Sequence, residues 1–305
     1  MIVVASAEGA GRPPRRLLPA TASEERRVGL VLVPTPLGNL RDITLRALDA
    51  LRDCDLLVAE DTRVARRLLG ALGIPAKPLW SYREQNATTV TAGIVERARL
   101  ESVAVVTDAG MPAISDPGRD LVRAARAAGV PIEVLPGPSA FVCAAVLSGF
   151  DLNSFSFDGF VPRTKGERER RFRAALARGS TSVWYEAPSR IAATLRTLEE
   201  IAPSGEVFVA RELTKLHEQQ ASGTAAEVLA LLPDPPRGEF VLVLAAGAPV
   251  APAQASSDDV EREIDRALAA GASVPDVARE LARRGLGSRA DLYRLASARR
   301  PGGGR

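Results

Sequence analysis

From residue 28 onward the chain alternates short β-branched runs with amphipathic stretches, and no other feature limits its possible folds as much. Residues 28–33, Leu56–Ala59, 103–107 and 132–135 read as strands, while 45–52, 64–72 and 120–128 carry helical spacing between them. Strands joined through helices can pair in parallel, because a parallel neighbour needs a long crossover, and the crossovers then cover both faces of the sheet. The expected fold is therefore α/β. A second cycle follows a turn-rich link near 151–158: a basic helix at about 166–178, a strand at 182–186, a helix at 189–201, and strands at Glu206–Arg211 and Phe240–Leu244. This divides the chain into a disordered leader (1–27), an N-terminal α/β domain (28–150), a C-terminal α/β domain (151–247), an Ala/Pro-rich linker (248–257) and a small helical tail (258–305).

Two scarcities narrow the chemistry. The chain of 305 residues has one histidine, His217, and two cysteines, Cys54 and Cys143, each in a segment that reads as an apolar helix. Neither a Cys/His zinc site nor a disulfide framework can be assembled from that inventory, so no metal is expected. Aromatic residues make up 4% of the chain, too few for a base-stacking platform of the single-strand-binding kind. The formal charge of +3 is too small to argue a nucleic-acid partner by itself. No apolar run reaches the roughly 18–20 residues that cross a bilayer, and residues 1–5 lack the basic flank and long apolar core of a secretory signal. A cytoplasmic protein without membrane contact is expected. Only three lysines occur, Lys77, Lys165 and Lys215, against a large excess of arginine.

In open α/β sheets ligands bind beyond the carboxyl ends of the strands, and four segments there stand out. They are Pro34-Thr35-Pro36-Leu37-Gly38-Asn39-Leu40, Glu60-Asp61-Thr62-Arg63, the run from Asp108 to Gly118, and Pro136-Gly137-Pro138-Ser139-Ala140. Any one of them is also what a tight βα connection needs. Together, in this order, and with Tyr185-Glu186-Ala187-Pro188-Ser189-Arg190 and Arg211-Glu212-Leu213-Thr214-Lys215, the chain resembles the tetrapyrrole methylase superfamily over residues 29–247. The first loop lacks the GxGxGD form usual in members that act on tetrapyrroles, so the resemblance is to the branch that methylates ribosomal RNA. Gly285-Leu286-Gly287-Ser288-Arg289-Ala290 formally satisfies a dinucleotide fingerprint, but no strand precedes it and the match is set aside.

The resemblance implies two α/β domains of the tetrapyrrole methylase type, S-adenosyl-L-methionine held folded in the cleft between them, and a homodimer. It places Pro36, Asp108, Ala109, Gly110, Ile114, Ser115, Pro136, Gly137 and Ser139 at the cofactor. Gly110 and Gly137, with no Cβ, would let the backbone approach the ligand closely, and Asp108 and Ser115 would supply orienting polar contacts. The implied activity is 2′-O-methylation of a cytidine in the decoding region of 16S rRNA, on the small ribosomal subunit. A same-fold methyltransferase acting on a porphyrinoid or a protein side chain, and a non-catalytic RNA-binding protein, are the alternatives.

Two local clusters could meet RNA phosphates: residues 163–178 hold seven Lys/Arg against two Glu, and 279–305 hold eight Arg against two acids. Each also reads as a solvated helix face. Methyl transfer to a ribose hydroxyl is an in-line displacement in which alignment supplies much of the acceleration, and a nearby base would help the hydroxyl lose its proton. Lys215, with its pKa lowered by burial or by Arg211, and Glu186 are the catalytic candidates; a Lys215–Glu212 ion pair is the structural alternative. Arg63, Glu84, Asn86, Arg190 and Arg211 are candidate substrate contacts, although Glu60, Asp61 and Arg63 could equally be a structural cluster. Residues 81–86 fall where relatives often carry histidine and here have none, which argues against a histidine relay. His217 reads as a polar strand residue near the site rather than a catalyst.

Overall fold

The computed structural model describes residues 28–115, 118–247, 257–283 and 286–299, with only the backbone of 257–259. The expected leader, all of the expected linker except residue 257, and Arg300–Arg305 of the tail lie outside the described residues.

Five parallel strands make the first sheet: β1 (Gly29–Leu32), β2 (Leu56–Ala59), β3 (Leu79–Ser81), β4 (Ser102–Val106) and β5 (Ile132–Val134), in the order β3-β2-β4-β1-β5. Successive side chains on a strand point to opposite faces, so near-continuous apolar runs serve two cores. Val31, Val33, Leu57, Ala104 and Val106 pack under α1 (Leu45–Asp53) and α2 (Thr62–Ala71). Leu30, Leu32, Leu56, Val58, Val103 and Val105 pack under α3 (Ala87–Ala98) and α4 (Gly118–Ala127). The connections leaving the adjacent strands β1 and β4 thus depart to opposite faces. Their carboxyl ends flank the crevice where such sheets bind ligands.

The second sheet is mixed: β6 (Phe155–Phe160), β7 (Thr181–Glu186), β8 (Glu206–Arg211), β9 (Gln219–Thr224) and β10 (Phe240–Leu244), in the order β6-β7-β10-β8-β9, with only β6 and β7 parallel. Helices α6 (Lys165–Ala177), α7 (Ile191–Ile201) and α8 (Ala225–Leu231) cover one face around Trp184 and Phe172. Helix α5 (Ala140–Ser148) covers the other, with Ala144 and Ala145 against Val183, Phe208 and Val241.

That position of α5 corrects the boundary read at residue 150. The chain passes to the second sheet before α5, because the helix is apolar all round and finds its buried partner there. Two further segments differ from the sequence reading. The link near 151–158 contains the start of β6, and residues 219–224 form an edge strand. His217 lies in the exposed turn between β8 and β9 rather than on a strand. The tail forms α9 (Ser257–Ala269), α10 (Val274–Arg283) and α11 (Arg289–Ala298) around its own cluster of Val260, Ile264, Val277, Leu281 and Leu292.

Candidate functional site

Three of the loops singled out in the sequence meet at the crevice beyond β1 and β4. Thr35 and Gly110 form an antiparallel bridge, Thr35 N–H donating to Gly110 O at 3.0 Å and Gly110 N–H to Thr35 O at 3.1 Å. The buried Thr35 hydroxyl also donates to Thr107 O at 3.3 Å. A Cβ on Gly137 would collide with the Pro34 ring, and one on Gly110 (φ +80°) would press to 3.1 Å from Leu37 Cδ2. Gly137 is therefore required by its packing on Pro34, and Gly110 by its left-handed backbone. Pro36 is buried inside this junction, whereas Asp108, Ala109 and Ser115 are exposed and Ile114, Gly137 and Ser139 half-buried. Pro136 is exposed on the same 136–139 loop. Ala113 (φ +68°) and Ser115 (φ +63°) hold left-handed conformations that cost an L-residue about 1–3 kcal/mol each and concentrate at functional loops.

The opposite wall comes from the second sheet. Glu186, Phe240 and Arg211 lie level at one end of β7, β10 and β8, and the 212–218 turn continues from there. Asn39 N–H donates to Thr214 Oγ1 at 3.1 Å, and a Cβ on Gly38 would collide with the Lys215 stem. The first loop therefore touches both walls. Thr35, Gly38 and Thr214 lie in the segments singled out from the sequence but were not themselves named as site residues.

The catalytic expectations change. Glu186 has a fully buried side chain whose Oε1 accepts from Ala187 N–H at 2.7 Å and pairs with Arg190 Nη2 at 2.6 Å, while Oε2 accepts from the Thr194 hydroxyl at 2.6 Å. Arg190 also donates to Val161 O at 3.0 Å. This is a clamp at the start of α7, and it commits Glu186 and Arg190 to structure rather than to a base and a substrate contact. Lys215 Nζ sits 2.9 Å from Glu212 Oε1 and 3.1 Å from Glu239 Oε2. Burial pulls its pKa down, but hydrogen bonds to Glu212 and Glu239 outweigh it and hold the ammonium above its ordinary value. A lysine so held is a cation, not the low-pKa base anticipated.

The end of β2 forms a charged ledge beside Asp108. Asp61 N–H donates to Asp108 Oδ1 at 3.1 Å, and Asp61 Oδ2 pairs with Arg63 Nη2 at 2.6 Å. The bonds from Arg63 hold the Asp61 carboxyl well below the usual carboxylate range. Burial, and then the charge of Asp108, push Glu60 up; burial, against the Asp61 N–H bond, also leaves Asp108 raised. Perturbed carboxyls at a strand end in a crevice are the kind of group found at functional sites. Arg83 joins the ledge, donating to Glu60 O at 2.9 Å.

Among the other substrate candidates, Asn86 spends its side chain on its own turn, Oδ1 accepting from Arg83 N–H at 2.7 Å and Nδ2 donating to Ser81 O at 3.0 Å. Glu84 is exposed in the same turn. Arg211 donates to Arg237 O and to Gln219 Oε1, the latter at 2.7 Å. Arg63 remains largely exposed despite its pairing with Asp61.

The two basic clusters are largely answered from within. On α6, Arg168 is buried and donates to Thr197 Oγ1 at 3.0 Å, Lys165 pairs with Glu200, Arg170 with Glu167, and both Arg171 and Arg178 with Asp158. In the tail, Arg279, Arg283 and Arg294 pair with acids three residues before them, and Arg299 bridges to Glu261 and Asp265 on α9. Arg284 and Arg300–Arg305 lie outside the described residues.

The chemistry of the residues at the crevice suits S-adenosyl-L-methionine: Leu37 and Ile114 are half-buried apolar side chains, the Asp108 carboxylate is exposed beside them, and Ser139 stands at the start of α5 with a hydroxyl not spent on a helix cap.

A parallel sheet and a mixed sheet meeting at a loop-lined crevice define a class. The sequence profile of the Tetrapyrrole (Corrin/Porphyrin) Methylases matches residues 29–229, and the chain belongs to that family. The crystal structure of diphthine synthase shares the fold, with a TM-score of 0.59 at 16% identity over 71% of this chain and 89% of that one. Ribosomal RNA small subunit methyltransferase I of Thermotoga maritima is 42% identical over 217 residues, covering 70% of this chain and 97% of that protein. Its namesake in Synechocystis sp. is 36% identical over 270 residues, covering 88% and 96%. Within the family, the chain groups with these ribosomal RNA small subunit methyltransferases I.

Proposed function

We propose that the protein methylates the 2′-hydroxyl of a cytidine in the decoding region of 16S rRNA, acting on the small ribosomal subunit in the cytoplasm. As a member of the ribosomal RNA small subunit methyltransferase I family it is an S-adenosylmethionine-dependent rRNA methyltransferase. The observation that carries the reading is the meeting of the 34–40, 108–115 and 136–139 loops with the 212–215 turn at one crevice. The cofactor supplies a methyl group on a positively charged sulfur, already activated for displacement.

The chain's share is alignment and electrostatics. Asp108, Ser139 and the backbone of 108–115 would hold the donor. Lys215, paired with Glu212 and Glu239, fixes the wall made by the second sheet, and the exposed Arg63 and Arg83 offer positive charge to a phosphate of the acceptor strand on the other wall. Bringing oxygen, methyl and sulfur into line is worth many powers of ten by itself, so the site does not depend on a strong base. With Asp108 on the donor side, Glu60, whose carboxyl is raised by burial and by the charge of Asp108, is the carboxylate on this ledge that would take up the hydroxyl proton.

A homodimer belongs to the same proposal. The outward side of α5 exposes Val142, Val146 and Leu147 at 43%, 65% and 43%, a surface apolar enough to be covered by a second copy.

The test is incubation with methyl-labelled S-adenosylmethionine and small subunits from a strain lacking the enzyme, followed by nucleoside analysis. Label on the ribose of a decoding-region cytidine is expected. Label on a base atom, or none on RNA, overturns the reading.

A further inference from the structure

The turn that follows β8 carries two left-handed residues, Glu212 (φ +53°) and Thr214 (φ +66°). A β-branched residue in that region is an outlier, kept only where neighbouring bonds over-determine it. Such bonds are present. Glu212 N–H donates to Glu239 O at 3.0 Å, Glu212 Oε1 accepts from Glu239 N–H and Lys215 Nζ, each at 2.9 Å, and Thr214 N–H donates to Glu218 Oε2 at 2.7 Å. The conformation so enforced turns Thr214 Oγ1 toward the first unit, where it accepts from Asn39 N–H at 3.1 Å.

Beside that bond, Gly38 lies so close to Lys215 that no Cβ could be accommodated without moving the lysine stem. Three residues before Gly38, Thr35 makes the two-bond bridge with Gly110. Residues 35–39 are therefore a short strut, fixed at one end to the donor loop and at the other to the second sheet.

We infer that Thr214 is a positioning residue, which acts through Asn39 to hold the 34–40 strut, and with it the Gly110 loop, at a set distance from the second sheet. The contact it makes across the crevice is with the Asn39 N–H. Its kinetic consequence rests on the methyltransferase reading; its structural consequence does not. A misplacement of about 1 Å in an aligned displacement can cost about a hundredfold in rate, so the loss should fall on the transfer step and not on cofactor affinity.

Three variants of the full chain separate the possibilities. Thr214→Val keeps the shape and removes the acceptor. Thr214→Gly removes the acceptor and also relieves the left-handed conformation, so impaired folding does not explain a defect it shares with Thr214→Val. Thr214→Ser keeps the hydroxyl. Amide hydrogen exchange in a peptide spanning 35–42 should speed up about tenfold in the Val and Gly variants and stay unchanged in Ser. Single-turnover transfer to small subunits should fall about tenfold to a hundredfold in Val and Gly, with cofactor Kd by calorimetry within about threefold of wild type. Wild-type exchange and rate in Thr214→Gly, or a loss that simply tracks weaker cofactor binding, overturns the inference. Should the wild type label no RNA, the functional reading fails, while the exchange pattern still decides whether Thr214 holds the strut.

Discussion

Glu186 and Arg190 form an ion pair in which the carboxylate is fully buried and also accepts from the Ala187 N–H and the Thr194 hydroxyl. Removing one partner of a buried pair leaves the other uncompensated, which costs about 3–5 kcal/mol. Glu186→Ala should lower the urea midpoint accordingly while leaving the turnover of the folded fraction near wild type. Lost turnover at unchanged stability would return Glu186 to the catalytic role read from its place at the end of β7. The Glu212–Lys215 pair makes a pH-dependent contribution with a definite direction. Burial pushes the Glu212 carboxyl up, but hydrogen bonds from Lys215 and the Glu239 N–H outweigh it and leave it below its usual value; Lys215 is raised. A lowered carboxyl stabilises the fold fully above its unfolded pKa and loses that contribution as pH falls through the folded one; a raised lysine contributes below its unfolded pKa and loses it as pH rises through the folded one. The stability gap between wild type and Glu212→Gln should therefore be flat from about pH 6 to 9, shrink below about pH 4, and shrink again above about pH 10. A gap that grows toward acid, measured by urea titration across that range, contradicts the pairing.

Among the elements, the loops at the crevice depend on glycine for contact with each other. Gly137→Ala forces the 136–139 loop off the Pro34 ring, and because that loop leads directly into α5 the displacement reaches Ser139. Calorimetry should show cofactor affinity falling by about tenfold or more with only a modest change in melting temperature; wild-type affinity would remove the 136–139 loop from the cofactor site. The first sheet was legible because β1, β2 and β4 are β-branched or leucine-rich runs buried on both faces. β3, with Leu79-Trp80-Ser81, and β9, with Gln219-Gln220-Ala221-Ser222-Gly223-Thr224, carry no such pattern and owe their strand form to the neighbour each pairs with. Of the candidate site, the 34–40, 108–115 and 136–139 loops, which we propose hold the cofactor, could be read as special because turn chemistry after strands is local. The Asn39–Thr214 bond could not, since its partners are 175 residues apart and neither backbone N–H nor a threonine in a loop announces a distant contact. The buried pairing of Glu186 with Arg190 was hidden for a different reason: charged residues at a strand end look like site residues until the fold buries them.

At the scale of the whole molecule, each unit settles most of its own apolar surface, and α5 carries three of the large apolar side chains left exposed. The two faces of the first sheet are covered by α1–α4, and the tail closes on its own cluster. Helix α5 buries Ala144 and Ala145 against the second sheet but is apolar on its far side too, where Val142 and Val146 lie one turn apart and Leu147 adjoins them. We propose this stripe as the contact between two copies, a two-fold arrangement letting the same stripe serve both. The wild type is accordingly expected to sediment as a dimer at micromolar concentration. Val146→Arg, placing a charge at the most exposed of the three positions, should shift it to monomer without disturbing Ala144 or Ala145 beneath. The circular dichroism spectrum should be unchanged. If the wild type sediments as a monomer, or the arginine variant remains a dimer of wild-type strength, α5 does not carry the contact between copies.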